Sequence, residues 1–125
     1  MFYLNSDLSN KVNKGKVLAH QDVSLTVGTS FTLSDSVDNY DYIIVEAYVN
    51  IGIGTSRKFS TADFYASSDK GYSQRYIGLS HYYDATYHAS VGFTVGSNGK
   101  SITVAEKSVA GYNDIMGITV VGINF

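Results

Sequence analysis

Residues 40–49, Tyr-Asp-Tyr-Ile-Ile-Val-Glu-Ala-Tyr-Val, leave the chain little choice of local structure. β-Branched and aromatic residues exclude turn formers here over a longer stretch than elsewhere in the sequence. On an extended chain Ile43, Val45, Ala47 and Val49 share one side, and Tyr42, Ile44, Glu46 and Tyr48 share the other. An aliphatic face backed by tyrosines and a carboxylate describes a strand with one side in a core and the other wet or against a partner. Just upstream, residues 33–40 (Leu-Ser-Asp-Ser-Val-Asp-Asn-Tyr) are expected to form a turn or one helical turn. Ser, Asp and Asn side chains bond to nearby backbone amides and halt a strand there.

The remaining pattern is of the same kind. Residues 16–20, 22–27 and 30–33 are short strand candidates ahead of the central one, with Val23, Leu25 and Val27 alternating against Ser24 and Thr26. Residues 50–56 contain two glycines and are expected to be a loop. Arg57 and Lys58 suit an edge strand over 57–60, because paired cations discourage edge-to-edge association. Residues 61–65 are ambiguous between strand and loop, and 67–71 form a turn. A strand follows over 72–79, with Tyr72, Gln74, Tyr76 and Gly78 opposite Ile77 and Leu79. Residues 82–85 interrupt it. The cleanest amphipathic strand spans 87–95, with Ala89, Val91, Phe93 and Val95 inward. Asn98-Gly99 then signals a hairpin with a type I′ turn, and the chain returns over 100–106 with Ile102 and Val104 inward. After a loop at 110–114, residues 115–125 are apolar on both faces, as in a strand central to its sheet or lying against another subunit. The fold class is therefore all-β, an antiparallel sandwich of about eight to ten short strands.

A chain of 125 residues makes one domain that buries roughly two-thirds of its unfolded surface. Residues 1–14 are polar and weakly patterned, an N-terminal linker or stalk remnant, and 15–125 form the head domain. With no cysteine, disulfides and thiolate metal sites are excluded. A net charge of −2 provides no electrostatic reason to bind nucleic acid or an anionic membrane. No apolar run approaches the ~20 residues of a spanning helix, so membrane insertion is not expected, and neither is a secretory leader. Eleven tyrosines favour recognition, since tyrosine is rigid, large and amphipathic.

Catalytic patterns are weak. His81, Asp84 and His88 have helix-like spacing, but the tyrosines between them favour a strand, on which residues 81 and 88 point to opposite faces. No Gly-x-Ser-x-Gly elbow accompanies the serines and histidines. Asp63, Asp69, Asp84 and Glu106 supply carboxylates for a glycosidase pair, which needs a separation of about 5–9 Å, yet nothing in the sequence places two of them together. Tyrosine instead concentrates at Tyr65, Tyr72, Tyr76, Tyr82, Tyr83 and Tyr87. Aromatic rings stack on sugar faces while Asp63, Gln74, Arg75 and Asp84 supply hydrogen-bonding partners for hydroxyls; the competing reading is ordinary core and cross-strand packing. The candidate ligand-binding residues are Tyr82, Tyr83, Asp84 and Tyr87, with Tyr65. Adjacent tyrosines on a strand cannot both point inward, so at least one of Tyr82 and Tyr83 is expected to be exposed.

Three stretches carry a resemblance. Residues 32–45, Thr-Leu-Ser-Asp-Ser-Val-Asp-Asn-Tyr-Asp-Tyr-Ile-Ile-Val, resemble a corner and strand of C-terminal domains in tailed-bacteriophage tail fibres and receptor-binding proteins. The hairpin Val-Gly-Ser-Asn-Gly-Lys-Ser-Ile-Thr-Val over 95–104 is similar to their penultimate one. Ile-Met-Gly-Ile-Thr-Val-Val-Gly-Ile over 115–123 looks like their closing strand. The resemblance covers roughly 16–125 in order. It implies a β-sandwich head of a homotrimer, in the virion and acting outside the host cell, that binds a host-surface glycan or protein without a cofactor and without enzymatic activity. The alternatives are a structural fibre-cap domain and a small glycan-cleaving enzyme. The family has no fixed ligand motif, so the site residues rest on the aromatic argument. Met1 close to the domain leaves no room for a long stalk, implying an excised head or a small standalone protein, and the tyrosines of 72–88 exceed what the resemblance requires.

Overall fold

A computed structural model describes residues 15–52, 55–63 and 75–124, the stretch 51–63 by its backbone course alone. The described chain runs as β1 (Lys16–Ser24), β2 (Ser30–Thr32), a 3-10 turn (Val37–Asn39), β3 (Tyr42–Gly52), β4 (Thr55–Asp63), β5 (Arg75–Tyr82), β6 (His88–Val95), β7 (Ser101–Ala110) and β8 (Asp114–Ile123). The strands form two antiparallel four-stranded sheets, in the orders β1-β8-β3-β4 and β2-β7-β6-β5. Inward residues of both belong to one apolar cluster, giving a sandwich-like all-β fold. Among the described residues no helix is long and apolar enough to cross a membrane.

The aliphatic face of β3 is wholly buried: Ile43, Val45, Ala47 and Val49 have no exposed surface. Opposite, β6 contributes Ala89, Val91, Phe93 and Val95, and β5 contributes Ile77 and Leu79. Each fully buried aliphatic or aromatic side chain is worth about 1.5–3 kcal/mol of transfer free energy, which is why these alternating runs decide the strand faces.

The structure corrects several boundaries. Residues 16–20 and 22–27 are expected as two strands, but β1 is one strand carrying irregularities in its pairing with β8. The loop expected over 50–56 is largely strand, since β3 reaches Gly52 and β4 starts at Thr55. Glycine weakens a strand without forbidding it, and here Gly52 itself pairs with Thr55 in the ladder. β4 lies at its sheet's edge, where paired cations suggested an edge strand. β7 runs four residues past the expected Glu106, to Ala110, through a bulge opposite Gly92 and Phe93. The turn expected at 67–71 lies outside the described residues.

The final strand needed more than alternation. β8 is central, between β1 and β3. Val49 pairs with Ile115 but Ala47 pairs with Ile118, so Tyr48 faces two residues, Met116 and Gly117. Gly117 has φ +94°, and a Cβ there would lie 2.9 Å from the Tyr48 ring. That bulge shifts the phase, so Ile115, Ile118 and Val120 all point into the core. Thr119, Val121 and Ile123 fall on the outer side, where they are half-buried.

The polar corner ahead of β3 is a clip. Asp35 Oδ1 accepts from the Ser36 amide and from Asn39 Nδ2, both at 2.8 Å, and Oδ2 accepts from the Tyr40 hydroxyl at 2.9 Å. These three bonds hold the Asp35 carboxyl below its ordinary pKa. Ser36 Oγ donates to Asn98 O at 2.8 Å and accepts from the Asp38 amide. Arg75, buried, donates to Asp38 Oδ1 at 2.8 Å, to Gly96 O at 2.6 Å and to Ser97 O at 3.0 Å. The corner, the start of β5 and the β6–β7 hairpin are thus tied together at one end of the sandwich. The hairpin is not type I′. Among the described residues no non-glycine residue has positive φ, so Asn98 is excluded from that geometry, and Gly99 (φ +72°) follows a turn closed by its amide on Gly96 O. This is the longer loop in which only the last position is left-handed.

Candidate functional site

The opposite end of the second sheet carries the aromatic candidates. β5 ends at Tyr82, β6 starts at His88, and the two residues pair directly across the ladder. Between them the chain turns tightly, with the Tyr83 amide donating to Tyr87 O at 3.0 Å and the Asp84 amide at 3.2 Å. Asp84 Oδ1 accepts from the Thr86 and Tyr87 amides, each at 2.8 Å. A side-chain carboxylate thus replaces missing backbone partners and fixes the loop. One of the two oxygens of Asp84 is committed to the loop itself.

The rings sit where a fixed loop would hold them. Tyr82 is 72% exposed and Tyr83 67%, while Tyr87 is 42% exposed. Both adjacent tyrosines are open to solvent, more than the alternation argument required. Tyr82 stacks on His88 with centroids 5.9 Å apart and planes inclined by 19°. Tyr83 meets Tyr87 edge-on at 6.5 Å. Tyr87 contacts Tyr112 at 5.6 Å, and its ring lies where a Cβ on Gly111 would be, 2.5 Å from the nearest ring carbon. Gly111, at φ +77°, lets the β7–β8 loop approach the β5–β6 loop closely. Behind them His81 points inward and its Nε2 shares a 2.8 Å hydrogen bond with the Tyr112 hydroxyl. Tyr112 in turn packs against the core.

Of the sequence candidates, Tyr82, Tyr83, Asp84 and Tyr87 therefore lie together in one loop, and Tyr65 falls outside the described residues. Sequence reasoning missed Tyr112 and the two histidines as parts of this aromatic cluster. Tyr112 lies far along the chain, and only the β6–β7 pairing, with His88 opposite Ala110, brings it here. His81 and His88 do face opposite sides of the strand pair, one on Tyr112 and the other on Tyr82. Among the described residues no three His, Asp or Glu side chains converge as metal ligands. Asp84 and Glu106 do not form a carboxylate pair: Glu106 lies opposite Gly92, four residues along β6 from His88. That is about 13 Å of strand at ~3.3 Å per residue. Glu106 accepts instead from the Tyr76 hydroxyl.

A concavity lined by Leu18, Phe31 and Leu33 among others opens between the edge strands β1 and β2. It has neither exposed rings nor charged groups, which makes it the poorer recognition surface. The sequence matches no protein-family model, and no curated protein is detectably similar to it.

Proposed function

We propose that this chain is the receptor-binding head of a tailed-bacteriophage tail fibre, carried on the virion and adhering to a host-surface glycan through the β5–β6 loop. The observation that carries the reading is the exposure of Tyr82 and Tyr83 on a loop held rigid by Asp84. Both rings keep most of their surface in solvent, so burial in the core does not account for them. Their conformational freedom is already restricted by the His88 and Tyr87 contacts, so stacking a sugar on them costs little further entropy. Loops on a rigid sandwich are also where recognition is usually placed.

Assembly as a homotrimer belongs to the same reading. The outer face of the first sheet bears an apolar row, Val17 opposite Val121 opposite Ile44, with Ile123 opposite Tyr42 beside it. Val17 is 56% exposed, and a net charge of −2 offers little repulsion between copies. Assembly through this face leaves the tyrosine loop, which belongs to the other sheet, free for a host cell.

The test is adsorption of a fluorescent fusion to a panel of bacterial strains. Tyr82→Ala or Tyr83→Ala is expected to weaken adsorption at least about tenfold, the effect of truncating an anchor, with the melting temperature little changed. Adsorption of both variants at the parental level would place recognition elsewhere. A stable trimer that adsorbs to no strain would favour a structural cap, and release of reducing sugar a glycan-cleaving enzyme.

A further inference from the structure

The outward face of the second sheet leads away from the tyrosine loop toward a further exposed ring, Tyr76. Its cross-strand rows follow from the register. Tyr82 and His88 lie opposite each other at the loop end; Ser80, Ser90 and Ser108 form the next row; Gly78, Gly92 and Glu106 form the one after. Tyr76, opposite Thr94, closes the far end. We infer that this face continues the loop site and takes a linear oligosaccharide of uncharged or amino sugars, lying along β5 and β6 from Tyr82 to Tyr76. The inference rests on the glycan-binding reading above and extends it to a substrate class and a path.

Tyr76 is the observation that points to a ligand. It is 46% exposed, yet its ring is fixed. Its hydroxyl donates to Glu106, and its ring lies across Gly92, where any Cβ would overlap it, and 3.2 Å from the Cβ position of Gly78. Burial and the neighbouring Glu106 carboxylate push the hydroxyl pKa up to about 12, so it remains a donor at all physiological pH values. Two glycines on adjacent strands thus seat an exposed ring flat on a sheet. Tyr82, six residues along the same strand, is held against His88 on the same face. Their Cα atoms are about 20 Å apart at ~3.3 Å per residue, and because the Tyr76 ring lies over the Gly78–Gly92 row, four residues from Tyr82, the two rings are nearer, about 13 Å apart. Between them the serine hydroxyls can each donate and accept, as sugar hydroxyls do.

Charge and backbone select the class. Among the described residues of this face the carboxylate and imidazole groups are Glu106 and His88, with Asp84 at the loop. The nearby cations are turned to other tasks: Arg75 is buried against Asp38, and Lys107 pairs with Asp114 at 2.5 Å. A polyanionic glycan meets carboxylates here, whereas an ammonium or a neutral hydroxyl is accepted. An extended peptide that adds to this sheet would pair along its edge beside β5, the last strand in the order, and not across the face that carries Tyr76, Ser80 and Tyr82.

The experiment uses arrays of chitin-, maltose- and alginate-derived oligomers, from dimer to hexamer, with the full chain as probe. The parent is expected to bind a chitin- or maltose-type series more tightly as length increases, and to leave alginate unbound. Tyr76→Ala, Gly92→Ala (which evicts the ring without removing it) and Ser90→Gln (which places bulk between the two rings) should each weaken hexamer binding about tenfold or more. All three changes face outward, and parental melting temperatures identify the variants that are folded. Preference for alginate overturns the inference. So does loss of binding in Tyr82→Ala alone with the three sheet-face variants at the parental level, an outcome that leaves the loop site standing. Absence of binding to every series, together with absence of adsorption to bacteria, overturns the loop reading as well.

Discussion

Arg75 joins three parts of the chain that are remote in sequence, and its removal should be the most damaging single polar change among the described residues. Its side chain is 6% exposed and its Asp38 partner 13%. Truncation to methionine preserves the aliphatic stem but strands the Asp38 carboxylate and two carbonyls, Gly96 O and Ser97 O. Breaking one side of a buried ion pair costs about 3–5 kcal/mol, because the remaining charge has lost its compensation. With a urea dependence of about 2 kcal/mol per molar, the unfolding midpoint of Arg75→Met should fall by roughly 1.5–2.5 M at unchanged slope. Arg75→Lys should not rescue it, since one ammonium cannot reproduce a planar fork bonded to a carboxylate and two carbonyls. Asp38→Asn should cost less, and the double variant should cost less than the sum of the singles, because the stranded charge is then absent. Urea melts of the four proteins complete the cycle. A loss below about 1 kcal/mol for Arg75→Met, with additive single changes, would refute the reasoning that this pair locks the corner to the hairpin.

Gly99→Val should lower stability by about 2 kcal/mol or more in thermal or urea melts, since it adds a left-handed backbone penalty to an overlap with Ser36 Oγ at a buried crossing. At Asp114, desolvation raises the pKa, but bonds from Lys107, Ser24 (2.5 Å) and the Ile115 amide outweigh it, leaving the pKa below 3.8. The folded state then holds the proton less tightly than the unfolded one. Its contribution is full above pH 3.8, is lost as pH falls through the lower folded-state value, and should be missing from acid melts of Asp114→Asn. Val120 and Val121 should separate folding from assembly. Val120 is fully buried, so Val120→Lys should unfold the domain rather than merely dissociate it. Val121→Lys, on the outer apolar row, should leave circular dichroism intact while light scattering reports monomer; an unchanged oligomer would remove that face from the assembly.

Where alternation met no bulge, the sequence sufficed. β3 and β6 put their aliphatic residues on the faces their spelling dictates, because a period of two leaves one way to bury four side chains of one strand. The corner before β3 was legible too, since Asp, Ser and Asn bond to their own neighbourhood. β8 could not be read this way. Its double-sided apolar pattern combines a central position with a bulge at Gly117, and a bulge is specified by the partner strand and the Tyr48 ring above it. The same holds for the site. Tyr82, Tyr83, Asp84 and Tyr87 are neighbours along the chain, and their clustering is legible in the order of the residues. Tyr112 and His81 joined them only through strand pairing, and Tyr76 became a fixed platform only because Gly78 and Gly92 meet across adjacent strands. Local chemistry is written in consecutive residues. Register is a property of pairs of segments, set by the core that both must share, and it was the tertiary structure that turned scattered tyrosines into one surface.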